Sequence, residues 1–421
     1  MRRWGGWWAA VAVGVGIVTA CQERLTSPAE CPELCPGGSP QVFDTIVSAV
    51  VGADSSFPSP ADWASGGGYV NRGRGTALLL SNGFPGSEDR PVYRFAPRSD
   101  QIAVRDTFRT FTIDSAQINV TILARDTLVG GLKLFLYRIP SGVDSSVSFT
   151  GIEPLLGPAS LLDSIVVPDS VHTGTVSAVL DPTEVGRVAF AGTDSTLAIA
   201  LRMTADQPTG IRVGSLTSST AATFTSFVTV DVPDTGSVRH QSISRATAFN
   251  TFVTENPLVP VDSLLTVGGE PSSRAIIRFG LSREFLDSAS IVRATLELTP
   301  VAPIYSLRGD PSLIQAVPVI GDVGAKSPIS SDSIAIRQGT DTLPLVQADT
   351  IQFNVTRHVQ VWQGAPDRPQ SIFLRMGPSG EAATFARAQF FSTRSHAADP
   401  SVPVAPRLRI TYQRSFRFET P

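Results

Sequence analysis

The stretch Asp287-Ser-Ala-Ser-Ile-Val-Arg-Ala-Thr-Leu-Glu-Leu298 decides the fold. From Ile291 onward its polarity alternates, with Arg293, Thr295 and Glu297 beside Ile291 on one face and Val292, Ala294, Leu296 and Leu298 on the other. A period of two is that of a half-buried strand in an antiparallel sheet, one face packed and one wet. The same opening occurs 173 residues earlier as Asp114-Ser-Ala-Gln-Ile118, and that spacing also separates Thr183 from Thr356 and Leu201-Arg-Met203 from Leu374-Arg-Met376. Upstream, Arg90-Pro-Val-Tyr-Arg94-Phe95 matches Arg274-Ala-Ile-Ile-Arg278-Phe279 at a separation of 184, so the first copy carries eleven extra residues, roughly within 98 to 110. A period this long predicts two tandem domains of one fold, since solenoid repeats run about 20 to 50 residues.

Other runs have the same character: Ala77–Leu80, Pro91–Phe95, Gln117–Ala124, Lys133–Tyr137, Leu197–Met203, Ala275–Phe279, Gln352–Val355, Ser371–Met376 and Arg407–Tyr412. Each is rich in Val, Ile, Thr, Leu or Phe and is bounded by Gly, Pro, Asp or Ser, the punctuation of strands and turns. Helical periodicity is almost absent. The expectation is an all-β chain of two tandem antiparallel β-sandwiches, jelly-roll-like, over residues 43–235 and 243–413, with a tail at 414–421.

The start of the chain is of another kind. Arg2 and Arg3 precede an apolar run from Trp4 to Ala20, which is short for a membrane-spanning helix and ends in small residues. Residues 1–20 therefore read as a signal peptide. Val18-Thr19-Ala20-Cys21 resembles the bacterial lipobox, which implies that Cys21 becomes the acylated N-terminus and anchors the chain to a membrane. Gln22, where some lipoproteins carry Asp, implies export to an outer membrane if the host has one. With Cys21 lipidated, Cys31 and Cys35 remain as an even pair in an exported chain, and a disulfide is expected between them. The competing reading, a metal pair, is weak because no His or third Cys lies near. Pro36-Gly-Gly-Ser-Pro40 completes a flexible tether over 21–42.

The second copy supports a family comparison. Ser273-Arg-Ala-Ile-Ile-Arg-Phe-Gly-Leu281, Ala289 to Leu298, Phe353-Asn-Val-Thr-Arg-His-Val-Gln-Val-Trp362, Phe390-Phe-Ser-Thr-Arg394 and Pro406-Arg-Leu-Arg-Ile-Thr-Tyr412 together resemble the DNRLRE domain, in that family's order and spacing. The first copy is fainter. Tyr69-Val-Asn71-Arg-Gly73 and Asp181-Pro-Thr183 match, but Ala189 replaces the motif Trp and the closing Pro-x-Leu block is missing. The resemblance implies a jelly roll of the carbohydrate-binding-module kind on bacterial surface and secreted proteins, some of which bind acidic polysaccharides. It implies architecture more firmly than ligand.

The formal net charge is −3, and removing Arg2 and Arg3 with the signal leaves −5, spread without runs. That argues against nucleic acid, which demands clustered Lys and Arg. His172, His240, His358 and His396 show no metal-ligand spacing and are expected at the surface or at strand edges. Neither a Gly-x-Ser-x-Gly elbow, a phosphate-cradling loop nor an Asp-rich calcium loop occurs, so no metal, cofactor or enzyme activity is expected. Paired acids for glycoside hydrolysis depend on spatial separation, which sequence leaves open.

Arg90/Arg94 and Arg274/Arg278 are candidate ligand residues, because positions four apart on a strand share a face and could present two guanidiniums to sugar carboxylates. The competing reading packs each Arg along its stem or pairs it with Asp or Glu. Trp63 and Tyr69 are candidate sugar platforms, whereas Trp362 reads as a buried anchor. The expected function is a non-catalytic, lipid-anchored envelope protein for display or binding, with polysaccharide or other envelope proteins as partners. The alternatives are a structural surface component that recruits chains through exposed β-edges, and a polysaccharide-degrading enzyme.

Overall fold

The computed structural model describes residues 42–58, 74–84, 86–97, 101–104, 107–180, 196–232, 237–256, 261, 263–270, 272–302, 306–308, 313–324, 327–328, 335–336, 350–365, 367–377, 382, 384–395 and 404–414. The fold is all-β and antiparallel, built of sandwiched sheets. In the N-terminal half, β3 (Ala77–Asn82), β12 (Thr209–Gly214), β7 (Thr112–Arg125) and β13 (Thr223–Val232) are neighbours in that order, with β10 (Gly174–Leu180) also on β7. The facing strands are β4 (Asp89–Phe95), β11 (Ala198–Thr204), β8 (Lys133–Ile139) and β9 (Leu161–Val166). One long strand joins the two groups. In β14 (Ser237–Thr254), residues 237–246 pair with β13 and residues 247–254 with β4.

The C-terminal half repeats that order. β20 (Ile351–Asn354), β17 (Ala289–Leu298) and β23 (Arg407–Arg414) correspond to β10, β7 and β13. β16 (Ser273–Arg278), β21 (Ser371–Met376), β18 (Ile314–Pro318) and β19 (Ala335–Ile336) correspond to β4, β11, β8 and β9. β15 (Leu264–Gly269) with β22 (Thr384–Phe391) corresponds to β3 with β12, but the order departs here: β12 joins its pair to β7, whereas β15 joins its pair to β16. The long joining strand is replaced by two short ones. β1 (Val42–Ser48) pairs with β23, and β2 (Ser55–Pro58) pairs with β16. Residues 42–58, grouped by sequence order with the first copy, thus lie in the sheets of the second, and 237–254, which includes the start of the expected second domain, lies in the sheets of the first.

All ten runs read as strands fall in strands. Within the region of the first copy's extra residues, β5 (Gln101–Val104) pairs antiparallel with β6 (Thr107–Thr110). In β17 the alternation is broken. The register shifts between Ile291 and Arg293, so Ile291 faces the core with Ala294, Leu296 and Leu298, while Val292 is 53% exposed. An inserted residue on one strand flips every side chain beyond it to the other face. The expected wet face is not wet at its far end either, because Arg407 and Arg409 lie over Glu297 and leave it buried.

Three short α-helices appear among the described residues: α1 (Phe149–Ile152), α2 (Arg283–Ser288) and α3 (Thr356–Gly364). Ser148 and Ser282 cap the first two, each accepting a main-chain N–H three residues on. α3 inserts Val359 and Trp362 into the second core, with the Trp362 ring 6.4 Å from Phe279. It also buries His358, which was expected at the surface, with the Ala316 main chain beside its ring. Burial pushes the His358 imidazole down to about 4.

Two large buried clusters lie inside the two halves, and they meet. Phe385 of β22 packs within the N-terminal cluster, 5.8 Å from Phe84 in an edge-on pair. A Cβ on Gly210 would lie 2.5 Å from the Phe385 ring, so only glycine admits that approach without displacing the ring. Beside it, Gly268 and Gly269 take φ of +83° and +93° where β15 bulges against β22, and Glu270 follows them inward. No N–H or hydroxyl donor reaches either Glu270 oxygen among the described residues, and the Glu270 carboxyl is buried against that of Asp89, with which it shares a hydrogen bond. Asp89, by contrast, accepts from Ser81 and Thr254 at 2.8 Å each. Two adjacent buried carboxyls do not both ionise, and the proton belongs on the one lacking donors. Burial first, then the Asp89 charge, push Glu270 well above the glutamate range, and burial raises Asp89 as well.

The signs of the two effects are opposite. Glu270 holds a proton in the native state that the unfolded chain releases, so its contribution is full below the ordinary glutamate value and is lost as pH rises from there. His358 is neutral in the native state, so its contribution is full above 6.5 and is lost as pH falls toward about 4. Glu270→Gln should therefore raise the unfolding midpoint at about pH 8 and leave it nearly unchanged at about pH 4. His358→Met should flatten the acid limb, which amounts to roughly 3 kcal/mol in the parent. Thermal unfolding across pH checks both; an acid limb as steep in His358→Met as in the parent would contradict the burial of a neutral imidazole.

Candidate functional site

The repeated arginines were the first candidates, and the structure places them beneath cover. Arg90, Val92 and Arg94 share the outer face of β4, and the loop containing α1 closes over it. Arg90 is 1% exposed. Its Nε donates to Glu153 at 3.1 Å, its Nη1 to the main-chain oxygens of Ser81 and Asp89 at 3.2 and 3.1 Å, and its Nη2 to Glu88. The Phe149 ring lies 5.4 Å from the guanidinium carbon. Arg94 donates to the Val143 oxygen at 3.0 Å and lies over Phe249 at 5.3 Å.

The second copy repeats the arrangement with different partners. Arg274 is 1% exposed. Arg278 makes a two-point contact with Asp322, Nε to Oδ2 at 2.6 Å and Nη2 to Oδ1 at 2.7 Å, and also donates to the Ala53 oxygen. That guanidinium, with the Ser371 hydroxyl and the Gly324 N–H, holds the Asp322 carboxyl below the usual range. Arg90 and Arg274 are thus fully covered, and the exposed edges of Arg94 and Arg278 are already engaged. Arg90, Arg94 and Arg278 act as packed arginines that hold loops onto an outer sheet face, and Arg274 is packed beneath it. The carboxyl pair Asp89–Glu270 is likewise enclosed, out of reach of a polymer.

Accessible polar surface lies on the other sheet of each half, where the strand registers set out rows of side chains. In the C-terminal half, Ser48, Arg407, Glu297 and Gln352 form one row across β1, β23, β17 and β20. Ile46, Arg409, Thr295 and Asn354 form the next, and Asp44, Thr411 and Arg293 the third. Glu297 receives Arg407 at 2.6 Å and Arg409 at 3.1 Å, while Gln352 approaches at 3.4 Å. One carboxylate thus orients two guanidiniums. Arg409 stays 47% exposed, and Arg293 is exposed beside it.

The equivalent face of the N-terminal half has the same geometry and other chemistry. Its rows read Ala246, Thr223, Asn119, Ser177; then Ser244, Thr225, Gln117, Val179; then Ser242, Phe227, Ser115. Asn119 bridges its neighbours, donating to Thr223 at 3.2 Å and accepting from Ser177 at 2.7 Å. No charged side chain stands in these three rows. One sheet face is therefore cationic and its counterpart neutral, and neither was singled out from sequence.

Trp362 is a buried anchor, 2% exposed. The expected lipidation site Cys21, the pair Cys31 and Cys35, and the aromatic candidates Trp63 and Tyr69 lie outside the described residues. Among the described residues no three His, Cys, Asp or Glu side chains gather as a metal-holding group. No protein-family model matches the chain, and no curated protein matches it.

Proposed function

We propose that the chain is a non-catalytic, lipid-anchored envelope protein whose β-sandwiches, of the DNRLRE jelly-roll kind, display a polysaccharide-binding face at the bacterial surface. The observation that carries the anchor is Val18-Thr19-Ala20-Cys21 after an apolar run with a basic start, followed by a Gly/Pro-rich tether. The binding part is supported by the face bearing Arg293, Arg407 and Arg409. Guanidiniums held by a buried carboxylate lose little freedom on binding, which favours recognition of planar carboxylates such as those of uronate sugars. In this reading the Arg-x-x-x-Arg pairs serve the framework, and the ligand surface lies on the opposite sheet.

A second reading, recruitment of other envelope proteins, is supported by β1, which ends its sheet with Val42 and Ile46 57% and 52% exposed. Exposed apolar side chains on a terminal strand suit strand addition. It predicts co-purification with envelope proteins irrespective of added glycan.

Cys21→Ser should release the chain from the membrane fraction, and the parent's N-terminal peptide should carry the mass of acyl chains. Membrane retention of the variant, with no lipid mass on the parent, would remove the anchor. The released variant should bind pectate or alginate in preference to neutral dextran. Replacing Arg293 and Arg409 together by Ser should weaken that binding by about tenfold or more, since each charge-assisted contact is worth on the order of 1.4 kcal/mol. Equal binding by parent and double variant would move the site off this face.

A further inference from the structure

We infer that each half of the fold holds a seat for an extended strap, and that the two straps of this chain, 42–58 and 237–254, have exchanged seats. The registers establish the equivalence. Ile118 pairs with Phe224, which pairs with Arg245; Ile291, 173 residues after Ile118, pairs with Tyr412, which pairs with Phe43. Further on, Arg90 pairs with Val253 and its counterpart Arg274 with Phe57. The side chains agree: Arg245 lies 4.4 Å over the Phe224 ring, and Phe43 stacks on Tyr412 at 5.7 Å. Along the chain, however, each strap precedes its own copy, 42–58 before β3 and 237–254 before β15. Each closes the other copy's sandwich.

The seats share a latch. Ser215 donates to the Gly75 oxygen at 2.6 Å and Ser392 to the Ser263 oxygen at 2.7 Å; their main-chain N–H groups donate to Ser218 and Ser395 at 3.2 and 2.8 Å. The N–H of the next residue is received by a strap side chain. Leu216 donates to Asn250 at 2.7 Å, and Thr393 donates to Asp54 at 2.6 Å. Asp54 and Asn250 are each buried, and they occupy the same strap position, three residues before Phe57 and Val253. The ligand of each seat is therefore an extended peptide carrying an Asp or Asn at that position.

The two seats differ in one respect, and the difference selects the strap. Thr393 supplies a hydroxyl as well as its N–H, so both Asp54 oxygens are met; Gly52 in turn donates to Thr393 at 2.9 Å and accepts from Arg394 at 2.7 Å. Leu216 supplies an N–H alone, which suits the single carbonyl oxygen of Asn250. Asp54 in the Leu216 seat would bury a carboxylate oxygen without that hydroxyl, an arrangement the unexchanged form cannot avoid. Since the C-terminal sandwich is closed by residues that precede the N-terminal one, and its Phe385 and Glu270 lie buried against the N-terminal half, the halves unfold together.

Disulfide trapping in the full-length exported chain tests the exchange. Asp44 pairs with Thr411, and the equivalent position in the other seat is Thr223, the partner of Ala246. The Asp44→Cys/Thr411→Cys variant should close a disulfide and Asp44→Cys/Thr223→Cys should not, by peptide mapping. Amide exchange at Leu79 and Ile276 should report one common unfolding transition. Moving the hydroxyl, with Leu216→Thr and Thr393→Leu, should shift the cross-link from 411 toward 223. If that variant does not fold, Asp54→Asn, which no longer needs the hydroxyl, should raise the 223 product instead. A 44–223 disulfide at comparable yield in the otherwise unaltered chain, or two separate transitions, would overturn the exchange. A cross-link pattern unmoved by the substitutions would overturn the selection by Thr393.

Discussion

Two sheets laid face to face need a tie where one strand leaves the first sheet and enters the second, and in this chain that tie depends on a single buried strap side chain in each half, met by a main-chain N–H. The groups at Leu216 and Thr393 sit at the end of a strand, where no ladder partner is due. A buried side-chain acceptor left unmet costs about 1–3 kcal/mol, so each strap must bring its acceptor to such a donor. Asn250 and Asp54 are those acceptors. Once they are in place, the strap is held at the one point where it changes sheets, and the register on either side follows from the alternation of its side chains. Core, loops and outer faces all presuppose that closure.

The arginines illustrate how the same framework is held by different chemistry. At Arg90 the covering loop answers with Glu153 and Phe149; at Arg278 it answers with Asp322. In each copy a guanidinium on the outer face of the strand meets an acidic side chain of the loop laid over it. Removing one partner of such a buried pair leaves a charge uncompensated, which costs about 3–5 kcal/mol, whereas the pair itself contributes less. The repeated motif persists in the sequence because the position demands a long donor, while the residues that meet it lie in loops with no repeat to find.

How far the sequence could be read follows from this. Strands were legible because alternation is local: Lys133–Tyr137 and Ser371–Met376 announce themselves without a partner. Duplication was legible at Asp-Ser-Ala-x-Ile and Leu-Arg-Met, where core and turn requirements coincide. The bulge at Val292 was not, since an inserted residue keeps the composition of the strand and changes only its phase. The seats of 42–58 and 237–254 were not either, because adjacency along the chain says nothing of which of two equivalent sheets a strap enters. Ser215-x-x-Ser218 and Ser392-x-x-Ser395 were present to be aligned, yet Ser is so common in this chain that the spacing carried no weight until the hydrogen bonds gave it one. His358 was misplaced for a related reason, as a lone polar residue does not reveal that a short helix turns it inward.

The outer sheet faces show where such a framework leaves freedom. Core positions of the two copies are constrained alike, and so are the strap positions; the rows on the outer face are not. On the outer face of the C-terminal half Arg407 and Arg409 meet Glu297 and Arg293 stands beyond them, whereas the rows on the same face of the N-terminal half carry Thr, Ser, Asn and Gln. Both solutions satisfy the sheet, since β-branched hydroxyl residues and shielded ion pairs each pack on a pleated surface. They differ by the charge presented outward. Two sandwiches whose interiors are alike and whose outward rows differ in charge keep core and exposed surface on separate sides of the same strands, so that substitutions among the outward rows alter what the face can attract while Ala294, Leu296 and Leu298, one residue away, go on filling the core.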